Sequence, residues 1–251
     1  WSLSIEDTCQ FPLLSFLRFW NNHKLLNLVQ RPQWQIVQNG SRSYVNAIQK
    51  EIPFVHCNHS VQSISKGPNN AKLHLANGTS QEFDHIILAT HADTALSLLQ
   101  RPSQLQTQLL SPWSYSMNPT VFHTDESVMP KKRALWGSWN AQNHVKNKAL
   151  SFTYYMNRLQ SLQTRTNYFV TLNPQKDIPK KYSIKELTYT HPIYSKESLQ
   201  TQSRLQELNS SGPVYFVGSY FGYGFHEDAI RSAVILSNAL NNTVAKESSH
   251  A

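Results

Sequence analysis

The sequence has only eight glycines in 251 residues and contains no G-x-G-x-x-G segment. That segment forms the phosphate-binding turn of dinucleotide-binding domains, where glycines let the backbone approach the ligand closely. Its absence argues against a complete dinucleotide-binding domain within these residues. The first residue is Trp1 rather than methionine, so we expect the chain to be the C-terminal part of a larger protein.

Cysteines and long apolar runs are also scarce. The cysteines are Cys9 and Cys57, which are too few for a disulfide framework or a cysteine metal site. Scarce cysteine is typical of a reducing compartment, so we predict a cytoplasmic protein. No run approaches the roughly 18 apolar residues that a membrane-spanning helix needs.

Lysine and arginine together outnumber aspartate and glutamate, which gives the chain a formal net charge of +8. A basic surface suits nucleic acid or an anionic membrane surface. The lysines and arginines are scattered along the sequence, however, and form one tight cluster at 131–133. We therefore predict ordinary solvated charge and no nucleic-acid partner, with peripheral contact to the inner membrane as an open alternative.

Hydrophobic periodicity predicts a mixture of helices and strands. Helices are predicted over 5–29, 42–49, 94–99 and 227–240. Strands are predicted over 34–37, 54–55, 61–65, 72–75, 86–90, 120–123, 134–139, 149–155, 168–172 and 214–217. The run 86–90 is apolar almost throughout, as expected for a strand buried on both faces. The polar and aromatic region 101–205 predicts an antiparallel sheet inserted into an α/β unit.

The segment 214–233 is the most informative part of the sequence. It predicts an apolar strand, a loop that starts at Gly218, and a helix that opens on Glu227. Ligands of α/β sheets bind where strand ends meet helix N-termini, and the free N–H groups there suit an electron-rich, oxygen-bearing group. The candidate binding residues are Ala89, Thr90, Gly218, Ser219, Phe225, His226, Glu227, Asp228 and Ala229.

Four stretches, taken in order, carry a family resemblance. They are Arg31-Pro32-Gln33-Trp34 through Val45, Asn77-Gly78 through Ile86-Ile87-Leu88-Ala89-Thr90-His91-Ala92-Asp93, His123-Thr124-Asp125 through Trp136-Gly137-Ser138-Trp139-Asn140, and Gly218 through Phe225-His226-Glu227-Asp228 to Ala233. Their order resembles the flavin-containing amine oxidase superfamily, and most of all a bacterial subgroup described as predicted FAD-dependent oxidoreductases.

This resemblance implies an α/β (mixed α+β) fold. It consists of an incomplete Rossmann-type FAD-binding domain and an inserted substrate domain built on a mixed or antiparallel sheet. By resemblance, 1–29 is a substrate-domain helix, 30–99 is part of the FAD-binding domain, 100–205 is the substrate domain, and 206–245 holds the last FAD-binding strand and helix. The cofactor would be FAD, contacted by the candidate residues above. The upstream FAD-binding segment would lie outside this chain.

The resemblance also implies an oxidoreductase that abstracts a hydride from an amine or a C–C bond of an apolar substrate, which is a small molecule or a lipid-like one. Two departures bear on this. Ser219 and Tyr220 follow Gly218, where many members have an acidic residue, and 115–121 has no lysine, where many amine oxidases place one near the flavin. The second departure favours C–C dehydrogenation over amine oxidation. The alternative is a non-catalytic remnant or split-gene product, marginally stable because sheet edges and apolar faces are left open.

Several side chains have two interpretations. His226 is the candidate catalytic residue, as a proton shuttle, with a structural histidine as the alternative. An apolar substrate pocket is predicted from the aromatic residues Trp136, Trp139, Tyr220 and Tyr223, with core packing as the alternative. Arg231 is expected to pair with Glu227 one helical turn away.

His123 and Asp125 have the spacing of two metal ligands on a strand. Two ligands without a third are a weak signal, so a hydrogen-bonded turn is favoured and no metal site is predicted.

Overall fold

The computed structural model describes residues 11–27, 29, 32–33, 35–143, 150–210 and 212–248. The chain forms two compact units. The first contains Tyr115–Ile193, and the second contains Pro12–Ser114 together with the chain from Tyr194 onward. These limits differ from the boundaries expected from sequence, and the assignment of segments to cofactor or substrate stays a prediction.

Helices lie mainly in the second unit. In chain order they are α1 (Leu13–Asn22), α2 (Arg42–Glu51), α3 (Ala92–Leu98), α4 (Gln104–Leu110), α5 (Met156–Leu159), α6 (Lys196–Gln202) and α7 (His226–Ser248). The start of α4 is fixed by a capping box in which Ser103 and Gln106 bond each other's backbone N–H through their side chains. Within the described part of the chain, no helix is long and apolar enough to cross a bilayer.

The second unit contains two small sheets. Its strands are β1 (Val61–Lys66), β2 (Ala71–Leu75), β3 (Ser80–Phe83), β4 (Ile86–Leu88) and β10 (Val214–Phe216). β1, β2 and β3 form an antiparallel meander, whereas β10 pairs with β4 in parallel. The predicted Asn77–Gly78 turn joins β2 to β3. There Asn77 Oδ1 accepts the Thr79 N–H at 3.0 Å, and Gly78 has φ +83°, which glycine adopts without strain.

The first unit is built on a five-stranded sheet. Its strands, in spatial order, are β6 (Trp139–Asn143), β7 (Leu150–Tyr155), β8 (Phe169–Leu172), β5 (Ser114–His123) and β9 (Ser183–Ile193). The pairs β6–β7, β7–β8 and β8–β5 are antiparallel. All of these strands lie between β4 and β10 in sequence. The predicted α/β class with an inserted antiparallel sheet is therefore confirmed.

Two predicted boundaries were wrong for local reasons. The helix expected over 5–29 begins at Leu13, immediately after Pro12, and ends at Asn22 before a left-handed Lys24 with φ +53°; residues 5–10 of that prediction lie outside the described part. Of the strand expected over 134–139, only Trp139 is in a strand, as the first residue of β6, and the rest is the end of a 3-10 turn followed by a tight loop. Asn140 closes that loop by accepting from the N–H of Gly137 and donating to its carbonyl.

Strand predictions failed where pairing partners decide the outcome. Residues 35–37 and 54–55 are not strands, with Trp34 outside the described residues, and β9 was not predicted at all. β4 was expected to be buried on both faces, but Ile87 is half exposed while its two neighbours are buried. A short sequence window shows side-chain alternation but does not show which neighbouring strand or helix covers it.

Candidate functional site

The carboxyl ends of β4 and β10 lie side by side. Leu88 is in register with Phe216, and the Val217 N–H donates to the Leu88 carbonyl at 3.0 Å. The chain continues from β4 into the exposed pair Ala89 and Thr90. From β10 it continues into buried Gly218, where an added Cβ would lie 3.5 Å from Thr90 O. The structure thus brings the two predicted strand ends together.

Gly218 is tied to helix α7 by a serine hydroxyl. The Gly218 N–H donates to Ser232 Oγ at 3.0 Å, and that hydroxyl lies 2.7 Å from the Ala229 carbonyl, to which it donates. Both Gly218 and Ser232 are buried. The Gly218 amide is therefore used within the protein, and the strand end is held in register with the second turn of α7. Sequence reasoning missed Ser232, although its four-residue spacing from Asp228 places the two on one helix face.

The loop between β10 and α7 is organised by Asp228. Its Oδ2 accepts the N–H groups of Tyr223 at 3.0 Å and Phe225 at 3.1 Å, and Arg231 Nη1 lies 3.3 Å from Oδ1. Gly222 is required at this point because a Cβ there would lie 2.7 Å from the Asp228 Cβ. The buried Asp228 carboxylate thus stabilises the loop.

The same loop is also held by a side chain of α6 and by one from the chain just before this helix. Gln202 Nε2 donates to the carbonyls of Gly222, at 2.6 Å, and Tyr220, at 3.1 Å. The Tyr194 hydroxyl donates to the Gly222 carbonyl at 3.2 Å. Sequence reasoning missed Tyr194 and Gln202, because nothing in their local pattern shows which loop they reach.

The first turn of α7 is the open side of this junction. Phe225, His226 and Glu227 are exposed, whereas Ser219 and Ala229 are half-buried. The amides of Asp228 and Ala229 bond back to the Phe225 carbonyl. Helix N-termini leave N–H groups without intrahelical acceptors, and within the described residues this applies to the amides of His226 and Glu227.

Arg231 and Phe225, which the sequence analysis singled out, both have contacts within the second unit. Arg231 lies 3.8 Å from Glu227, as expected, and also contacts Asp228. The Phe225 ring stacks on Phe19 of α1, with centroids 5.7 Å apart and planes 13° from parallel.

The four aromatic residues predicted to line a substrate pocket have different surroundings. In the second unit, Tyr220 is buried with its ring 5.7 Å from that of Trp113, and Tyr223 is half-buried in the loop. In the first unit, Trp136 is buried against Phe169, while Trp139 is exposed on β6. Tyr220 and Trp136 thus have the surroundings of core residues, and a pocket role for the four stays a prediction.

A series of buried, hydrogen-bonded polar side chains lies in the first unit around His123. Its Nδ1 accepts the Asp125 N–H at 3.1 Å, so the neutral ring carries its proton on Nε2, which donates to Thr171 Oγ1 at 2.8 Å. The Thr171 and Thr153 hydroxyls are 2.9 Å apart. Burial lowers the pKa of His123 from 6.5 to about 4, although the nearby Asp125 charge opposes that shift. The favoured hydrogen-bonded turn is confirmed.

A cavity of about 420 Å³ lies beside this turn. Its lining is mixed in character and comprises Asp125, Ser127, Val128, Gln142, Ser151, Thr171, Pro174, Gln175, Lys176, Asp177, Ile178 and Pro179. Within the described residues, no group of three or more His, Cys, Asp or Glu side chains is arranged to hold a metal ion.

Comparison with protein families identifies the family of this chain. The model of the flavin-containing amine oxidoreductases matches residues 6–177, which is well over half of the chain. The chain belongs to this family. Flavin is therefore its cofactor, in the form of FAD. No curated protein matches the sequence.

Solved structures share the fold at low sequence identity. A fatty acid isomerase of P. acnes that produces CLA has a TM-score of 0.55 and 8% identity, over 80% of this chain and 52% of its own. A putrescine oxidase with bound putrescine has a TM-score of 0.54 and 10% identity, over 81% of this chain and 53% of its own. This chain thus spans about half the length of the proteins it matches.

The residues present fit part of an FAD site. An exposed strand end with small side chains, Ala89 and Thr90, adjoins the open first turn of a long helix, and Asp228 and Ser232 keep this geometry fixed. Such an end suits the oxygen-bearing edge of a flavin ring. The sequence has no phosphate loop for the nucleotide half.

Proposed function

We propose that this chain supplies the flavin-proximal and substrate-binding parts of an FAD-dependent oxidoreductase. An upstream FAD-binding segment, outside residues 1–251, would complete the cofactor site. When bound, FAD supplies the acceptor for a hydride taken from the substrate. The observation that carries the proposal is the preorganised junction of β4, β10 and α7 in a member of a flavin family.

In this proposal the chain's own residues hold the cofactor edge. Ala89 and Thr90 would contact it from the end of β4, and the His226 and Glu227 amides would donate to it from α7. Ser219 and Ala229 are the half-buried residues beside them. His226 is exposed at this turn and is the side chain proposed to move a proton between the site and water.

We favour a C–C bond of an apolar substrate over an amine as the hydride source. The absence of lysine in 115–121, now seen to lie within β5, supports this choice. The fatty acid isomerase and the putrescine oxidase show that this fold accommodates both substrate classes, so a direct test is needed.

The test uses the chain extended by its own upstream coding sequence. FAD binding is measured by visible absorbance, and fatty acids and diamines are compared as anaerobic reductants of the bound flavin. Thr90→Trp should weaken FAD binding at least about tenfold by blocking the strand end, whereas Ser80→Trp, on exposed β3, should not. Failure of the extended chain to bind FAD would refute the proposal.

The second candidate is a non-catalytic remnant or split-gene product, which the missing phosphate loop favours. If the protein is such a remnant, neither the fatty acids nor the diamines should reduce the flavin, even when the extended chain binds FAD. A cytoplasmic location and contact with the inner membrane complete the proposal, and cell fractionation tests both.

A further inference from the structure

The cavity in the first unit has a buried carboxylate in its wall. Its volume of about 420 Å³ is in the range of small-molecule sites, and its lining residues all lie between Asp125 and Pro179. Asp125 is only 8% exposed, and Ser151 and Ile178 of the same lining are also buried. The inner wall is therefore formed within the first unit and does not depend on an exposed outer surface.

One oxygen of Asp125 has a structural role. Oδ1 accepts the Ser127 N–H at 2.9 Å and so caps the 3-10 turn that follows. A neutral asparagine or serine would serve as such a cap equally well. Within the described part of the chain, Oδ2 accepts no hydrogen bond and no lysine or arginine pairs with this carboxylate. The second oxygen and the negative charge are thus left for a ligand in the cavity.

The charge of Asp125 indicates which ligand fits. A carboxylate withdrawn from water needs a partner cation or hydrogen-bond donors. The neighbouring His123 supplies no charge, because burial lowers its pKa from 6.5 to about 4. The side chain therefore favours a ligand that brings a cation with N–H groups.

Two other polar side chains of the lining also offer acceptors. The Ser151 hydroxyl donates to the Leu172 carbonyl at 3.1 Å. Gln142 Nε2 donates to the Val128 carbonyl. Among the residues that the structure describes, no group donates to Ser151 Oγ or to Gln142 Oε1. Both oxygens can accept from a bound donor.

The remaining lining suits a short hydrocarbon chain, since Val128, Pro174, Ile178 and Pro179 are apolar. A primary ammonium is a cation with three N–H donors. We propose that this cavity binds a small primary amine in its protonated form, with the ammonium on Asp125 and the alkyl chain beside Val128 and Ile178. The inference assigns no redox role to the amine, and it depends neither on FAD nor on the hydride source.

The experiment uses the chain extended by its own upstream coding sequence, so that any surface covered by that segment is also covered in the assay. n-Butylamine, n-butanol and butyrate share one carbon chain, and saturation-transfer NMR at neutral pH measures the dissociation constant of each. We expect saturable binding of the amine, and at least about tenfold weaker binding of the neutral alcohol and of the acid. Visible absorbance of the same sample reports FAD binding separately.

Three variants locate the amine. Asp125→Asn removes the charge but keeps an acceptor for the Ser127 N–H, so it should weaken amine binding about ten- to hundredfold and leave n-butanol binding unchanged. The control, Glu186→Gln, removes an exposed carboxylate of β9 outside the lining and should change amine binding less than about twofold.

The third variant has the opposite sign. Lys176 is an exposed cation of the lining, so Lys176→Gln should strengthen amine binding about two- to threefold. A loss of folding would not produce a gain of affinity, and circular dichroism should show that all three variants keep the secondary structure of the parent.

Three results would overturn the inference. One is no saturable amine binding by the extended chain, which would mean that water or the upstream segment fills the cavity. Another is amine binding that Asp125→Asn leaves unchanged, which would put the ligand elsewhere in the protein. The third is equal binding of n-butylamine and n-butanol, which would show that the charge is not recognised. Because FAD binding is scored separately, none of these results refutes the oxidoreductase proposal.

Discussion

Protonation of His123 should lower the stability of the first unit at acid pH. The ring is fully buried, and its Nδ1 already accepts the Asp125 N–H. A second proton would destroy that acceptor and place a charge where water does not reach. The folded pKa is about 4, against an ordinary value of 6.5 for an exposed histidine.

The direction and size of this pH effect follow from the difference between the pKa values of His123 in the folded and unfolded chain. Between pH 6.5 and about 4 the unfolded chain binds a proton that the folded chain excludes, so the free energy of unfolding falls as pH falls. Lowering the pKa of His123 from 6.5 to about 4 corresponds to about 3 kcal/mol of stability, present in full above pH 6.5 and lost by about pH 4. Below that pH both states are protonated, and the contribution of His123 is flat.

Urea denaturation followed by tryptophan fluorescence across this range would measure the effect. His123→Gln cannot titrate, so its stability should fall with acid by about 3 kcal/mol less than that of the parent. Thr171→Val removes the Nε2 partner but keeps the buried ring, so it should lower stability at every pH while retaining the parent's slope. Equal slopes for the parent and His123→Gln would refute the reasoning.

Three further predictions concern the second unit and are checked by thermal and urea unfolding. Ser232→Ala should lower the free energy of unfolding by about 1–3 kcal/mol, because it leaves the buried Gly218 amide without its acceptor. Ser237→Ala, exposed on the same helix, should lower it by less than about 0.5 kcal/mol. Equal losses in the two variants would contradict a stabilising role for the Gly218–Ser232 hydrogen bond. Leu236→Ala should cost about 2–5 kcal/mol, and exposed Val234→Ala very little. Gly222→Ala should cost about 1–3 kcal/mol by overpacking, and a neutral result would show that the loop can shift.

Local signals in the sequence predicted much of the fold. The Asn77–Gly78 turn, the antiparallel strands and the strand–loop–helix that ends in α7 each depend on nearby residues, so they could be found in short windows. β9 could not, because its polar residues alternate weakly and its pairing with a distant strand decides its conformation.

The candidate site was predictable in place but not in detail. Gly218 and Asp228 stood out as a glycine at a strand exit and an acid at a helix start. Their actual partners, Ser232 for the glycine and two loop amides for the carboxylate, are set by three-dimensional contacts. Asp228 was expected to meet the ligand through its backbone N–H, but in the structure that amide bonds the Phe225 carbonyl and the side chain holds the loop.

The hydrogen bonds that fix the loop before α7 also bear on the entropy of ligand binding. The side chains of Asp228, Gln202 and Tyr194 all hydrogen-bond to the backbone within residues 220–225. A ligand that arrives at the first turn of α7 therefore meets amides that need no further ordering. Ordering a free loop would cost about 1–2 kcal/mol for each residue immobilised. Recognition at this turn should consequently proceed with little change in loop dynamics, and selectivity there should come from the shape of a fixed surface.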